Sequence, residues 1–109
     1  MAGILFGNAR AIGVASITLS PALIAQGTTA EQTFTCTGLQ TTDVIIGVSK
    51  PTTQAGLGIV GWRVSAADTV AITFANVPNA GGNITPTASQ TYQIVWVRPD
   101  SVQTAVAQV

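Results

Sequence analysis

Histidine is absent from this chain, cysteine occurs once, and charged side chains are scarce. Without histidine, the commonest general base and nitrogen metal ligand near neutral pH is missing. A single cysteine, Cys36, excludes an intrachain disulfide and any multi-cysteine metal site. The acids Glu31, Asp43, Asp68 and Asp100 stand singly. Their spacing resembles no calcium loop and gives no support to a paired-carboxylate glycosidase site. The expectation is a protein that is not an enzyme and uses no metal or cofactor.

Charged residues make up 7% of the chain, against about 25% in an ordinary domain. The formal net charge is zero, so little repulsion keeps copies apart. The basic residues Arg10, Lys50, Arg63 and Arg98 lie far apart in sequence, which argues against a nucleic-acid partner, since phosphate binding needs clustered cations. No stretch supplies the roughly 20 consecutive apolar residues of a transmembrane helix. The segment from Ala11 to Ile24 is apolar, but Ser16, Thr18, Ser20 and Pro21 interrupt it and Arg10 comes late, so a signal peptide is not expected. No membrane association is predicted.

What is present is aliphatic residues and threonine in short runs with the period of strands. Ala11–Leu19 alternates with a change of phase: Ile12 and Val14 fall on one face, Ile17 and Leu19 on the other, which predicts a β-bulge near Ala15–Ser16. Ser20–Pro21 stops this strand. Glu31–Thr37 alternates well, with Phe34 and Cys36 inward and Thr33, Thr35 and Thr37 facing water. Cys36 is read as a small buried apolar residue. Asp43–Val48 has no polar face, because Val44, Ile45, Ile46 and Val48 crowd together, and this predicts a strand covered on both sides. Lys50–Pro51 closes it.

Leu57–Asn76 reads as a hairpin with Asp68 as a turn residue. A four-residue loop, Ser65–Asp68, would set Trp62 beside Ala71. A five-residue loop, Ser65–Thr69, would put Val60, Trp62 and Val64 on one face with Phe74, Ile72 and Val70. The hydrophobic pattern favours the five-residue loop, with Trp62 inside and Ile59, Gly61, Arg63, Ala71, Thr73 and Ala75 outside. The glycines Gly56, Gly58 and Gly61 open no helix, so they are scaffold and not a phosphate cradle. Val77–Gln90 is a long loop, a length often associated with contacts to a partner. In the last strand, Thr91–Arg98, Tyr92, Ile94 and Trp96 line one face while Val95 and Val97 make the other apolar as well. Trp62 and Trp96 fall in phase with core residues and are read as core and not as carbohydrate platforms.

These readings add up to an all-β, single-domain antiparallel β-sandwich or small jelly-roll-like fold of six to seven strands. Residues 1–9 form an extended N-terminal arm, 10–99 the sandwich and 100–109 a short tail. The arm carries Ile4, Leu5 and Phe6 side by side. It is either a frayed terminus or a segment that needs a partner surface. Apolar strand faces in excess of one core predict self-association or docking on a larger assembly.

Three stretches carry a family resemblance: Thr28–Phe34 (TTAEQTF), Gln54–Val77 (QAGLGIVGWRVSAADTVAITFANV) and Ile84–Pro99 (ITPTASQTYQIVWVRP). They resemble the small β-rich capsid decoration, or cement, proteins of tailed bacteriophages, some of them from phages of cyanobacteria. The resemblance covers roughly residues 28 to 99, and its motifs are structural. It implies a virion protein on the outer surface of an icosahedral head, bound to the major capsid protein, commonly a homotrimer with a dimer as the alternative, which stabilises the shell by bridging its subunits. The residues expected to make contact are Ile4, Leu5, Phe6 and Arg10, followed by the 77–90 loop with Asn79 and Asn83. The alternative function is a carbohydrate-binding or adhesin-like β-sandwich of a phage tail or fibre, which requires solvent-facing aromatic rings.

Overall fold

The computed structural model describes residues 9–78 and 82–100. These fold as six antiparallel strands with no helix: β1 (Ala9–Leu19), β2 (Thr29–Thr35), β3 (Val44–Ser49), β4 (Leu57–Ala66), β5 (Thr69–Asn76) and β6 (Gln90–Pro99). They make two three-stranded sheets, ordered β1-β6-β3 and β2-β5-β4. Only β4 and β5 are joined as a hairpin; every other connection carries the chain from one sheet to the other.

The shared core is drawn from both sheets. Leu19, Ile45, Tyr92 and Ile94 come from the first, and Val70, Ile72 and Phe74 from the second. Ile24, Cys36 and Leu39 close it from the connections. The central strand β5 alternates Val70, Ile72 and Phe74 inward, and all three are completely buried. Burial of each such side chain contributes about 1.5–3 kcal/mol. The described part of the 77–90 stretch is, from Gly82 on, tied to the fold. Ile84 exchanges both backbone hydrogen bonds with Ile24, at 2.7 and 3.0 Å, and Pro86 is fully buried.

Four expectations need correction. The phase change in β1 involves no bulge at Ala15–Ser16. The pairing with β6 is regular from Ala11 to Leu19, and its one irregularity lies between Ala9 and Ala11. Ile17 and Leu19 point to the core, while Ile12 and Val14 stand in solvent on the opposite face. Strand β3 is not covered on both sides. Ile45 is buried and Val48 packs on the core, yet Val44 and Ile46 are more than half exposed, and Ile46 is an extra residue bulged out opposite β6.

The third correction concerns the hairpin. Val64 does pair with Val70 and Trp62 with Ile72, the register of the five-residue loop. It arises from a tight Ala67–Asp68 turn plus a bulged Ser65, and Ala66 and Thr69 remain paired. A second bulge at Val60 then reverses the phase. Ile59 pairs with Phe74 and packs on the core, whereas Val60 is exposed. Trp62 is not enclosed but sits at the rim, 38% exposed, where its indole N–H donates to the Ile45 carbonyl of the other sheet at 3.1 Å. Last, Ala71 faces outward but is completely buried. On that face Arg63 and Glu31 join across β5 in a two-pronged ion pair at 2.8 and 2.9 Å, passing over it.

Candidate interaction surface

The two outer faces of the molecule differ in chemistry. Register fixes the outward rungs of the β2-β5-β4 sheet as Thr33–Ala71–Arg63, Glu31–Thr73–Gly61 and Thr29–Ala75–Gly58. This is a surface of threonine, small residues and one ion pair, with the single bulged Val60, 62% exposed, at its β4 edge.

The outward rungs of β1-β6-β3 are Ile12–Val97–Val44 and Val14–Val95–Gly47, with the bulged Ile46 beside them. Ile12 is 68% exposed, Val14 59%, Val44 55% and Ile46 51%. Single exposed aliphatics are ordinary, but a contiguous patch that spans all three strands of a sheet marks a contact surface. The patch has a boundary. The next rung is Ser16–Gln93–Ser49, and beyond it the Thr18 and Thr91 hydroxyls bond to each other at 3.1 Å. One half of this face is therefore aliphatic and the other polar.

The inward side of the same end is stiffened. Trp96 pairs with Gly13 on one side and Ile45 on the other. A Cβ at position 13 would lie 2.6 Å from Trp96 Cζ2, so only glycine leaves the indole its place. The Arg98 guanidinium sits 5.0 Å from the Trp96 ring centroid, within cation–π range. Arg98 also donates to both carboxylate oxygens of Asp43, at 2.9 and 2.8 Å, and to the Gly38 carbonyl at 2.8 Å. The Asp43 side chain is fully buried and accepts a further bond from the Gln40 N–H at 2.8 Å. The Arg98 hydrogen bonds hold its carboxyl below the usual carboxylate range, against the opposing effect of burial. Because Asp43 immediately precedes Val44, this pair pins the start of β3 to the end of β6 beneath the aliphatic patch.

Of the residues expected from sequence to make contact, the two described ones, Arg10 and Asn83, lie apart. Arg10 is exposed at the start of β1, at the aliphatic end of the face. Asn83 is elsewhere. Its Oδ1 accepts the Gln26 N–H at 3.1 Å in the connection that follows the other end of β1. Ile4, Leu5, Phe6 and Asn79 lie outside the described residues. Sequence reasoning missed Ile12, Val14, Val44 and Ile46, although the signal was there in the changed phase of β1 and the missing polar face of β3.

Two clefts, of about 250 Å³ by Val48, Lys50, Gln54 and Ile59 and about 230 Å³ by Cys36, Leu39, Trp96 and Arg98, are smaller than the 300–1,000 Å³ typical of small-molecule sites. Burial pushes the Cys36 thiol up, with the Asp68 charge adding to it, which makes it a poor nucleophile. Among the described residues no group of three or more His, Cys, Asp or Glu side chains converges. No protein-family model, no curated protein and no solved structure matches the chain.

Proposed function

We propose that this chain is a structural virion protein that decorates the outer surface of a phage head and acts by contact and not by catalysis. It is read as a two-layer β-sandwich with an N-terminal arm; six described strands fall short of the eight of a jelly roll. The observation that carries the reading is the contiguous aliphatic half-face of β1-β6-β3, set opposite a face on β2-β5-β4 whose one large exposed aliphatic residue is Val60. A protein with one adhesive side and one wet side suits a coat on a larger surface. The sequence resemblance to decoration proteins supplies the class of partner, the major capsid protein. Several copies in a homotrimer or dimer, each adding modest contacts, would bind a shell far more tightly than one.

Of the two tryptophans, only Trp62, 38% exposed at the rim, meets the requirement of the carbohydrate-binding alternative, and the absence of fluorescence quenching by sugars would dismiss it. The Trp62 N–H is committed to Ile45, and Trp96 lies against Gly13 and the Arg98 guanidinium.

The test is cosedimentation with heads assembled from the major capsid protein of the phage that carries it. Ile12→Asp combined with Val44→Asp places charge on two exposed positions and leaves the core intact. Each lost aliphatic contact is worth about 1–2 kcal/mol, so affinity falls at least tenfold. Unchanged occupancy of the heads by the double variant overturns the reading.

A further inference from the structure

Among the described residues the two sheets present four edge strands: β1, β3, β2 and β4. An open edge is a row of unpaired N–H and C=O groups, and proteins obstruct such rows with short strands, bulges, charges, proline or covering groups. Three of the four carry such devices. Strand β3 is short, bulges at Ile46, runs into Lys50–Pro51 and has its Ile45 carbonyl capped by Trp62. Strand β4 is broken by bulges at Val60 and Ser65 and carries Arg63. Strand β2 carries Glu31, and its Gln32 side chain bonds both backbone groups of Ala22, at 2.7 and 3.0 Å, which ties the connection from β1 against it.

Strand β1 carries such devices only at its start, in Arg10 and the irregularity between Ala9 and Ala11. From Ala11 to Leu19 it contains no proline, no charge and no irregularity, and among the described residues nothing bonds to its outer backbone edge.

We infer that the edge of β1 is the site at which a second copy of this chain pairs, antiparallel, about a two-fold axis near Gly13–Val14. An identical strand run antiparallel is its own complement, because each copy offers the other the same row of donors and acceptors. No charge between Ala11 and Leu19 opposes the approach, and the chain as a whole is neutral. The product is a six-stranded sheet ordered β3-β6-β1-β1-β6-β3. Ile12 and Val14 of one copy then lie beside those of the other, and the aliphatic rungs become one continuous face. This inference concerns the strand edge and does not rest on the capsid reading.

Sedimentation equilibrium of the full chain across the micromolar range tests it. The expected species has twice the 11.1 kDa chain mass. Ile12→Lys with Val14→Lys sets lysines against each other across the axis and weakens self-association at least tenfold. Val44→Lys, on the same face but the far strand, leaves it intact. A wild-type monomer throughout the range, or equal loss with Val44→Lys, overturns the inference; the latter outcome means that copies pack face to face. Hydrogen exchange on the unsubstituted chain gives a second readout. On dilution every second amide of Ala11–Leu19 loses protection, while the amides bonded to β6 keep theirs. Protection of all β1 amides that dilution does not change overturns it too, since the edge is then covered by the chain's own residues.

Discussion

Asp43 carries its charge inside the protein, and that has a consequence for acid stability. The Arg98 hydrogen bonds lower its pKa in the folded state relative to about 3.9 in an unfolded chain. The native state therefore releases this proton more readily. The contribution to stability is complete above the unfolded value and is lost as pH falls through the folded one. Asp43→Asn is expected to cost on the order of 2 kcal/mol at neutral pH, with the gap from wild type narrowing below about pH 4. Urea unfolding at both pH values measures it, and a constant gap would contradict the assignment. Gly13 offers a steric counterpart. Gly13→Ala drives a methyl group to 2.6 Å from the Trp96 ring and should cost about 1–3 kcal/mol, with a shift in tryptophan emission. Neither residue was legible from sequence. Asp43 and Arg98 are 55 positions apart, and acids that stand singly along a chain need not stand singly in space.

At the scale of elements, the β4–β5 turn is a junction. Asp68 adopts a left-handed backbone, φ +59°. Its N–H donates to the Leu39 carbonyl, its carbonyl accepts the Cys36 N–H, and its Oδ1 accepts the Gly38 N–H, each at 2.8 Å. The hairpin tip thus fastens the crossover from β2 to β3. Asp68→Ala loses the side-chain bond and strains the backbone, Asp68→Gly loses only the bond, and Asp68→Asn keeps both features. Thermal stability should fall in the order Asn, Gly, Ala, with Ala about 1–2 kcal/mol below wild type. Equal values for all three would show the turn to be idle. The turn residue and the pairing of Val64 with Val70 could be read from the hydrophobic pattern. The bulges at Ser65 and Val60 could not: no glycine or proline adjoins Ser65, and Gly61 beside Val60 does not tell which residue is inserted, although that bulge exchanges Ile59 for Val60 in the core.

For the whole molecule, the strands were legible to within a few residues, and so was the surplus of apolar surface. What periodicity could not supply was the side on which that surplus lies. A strand with no polar face reads as buried on both sides, yet β3 occupies a sheet edge and shows Val44 and Ile46 to solvent. A change of phase reads as a bulge, yet in β1 it marks the point where the outward face passes from Ser16 and Thr18 to Val14 and Ile12. Both misreadings hid the same patch. Image reconstruction of decorated heads shows whether the protein adheres through that patch. Ile12, Val14, Val44 and Ile46 are expected against the shell, with the Glu31–Arg63 pair turned to solvent. A reconstruction with the β2-β5-β4 face against the shell and the aliphatic face bare would contradict adhesion through the patch.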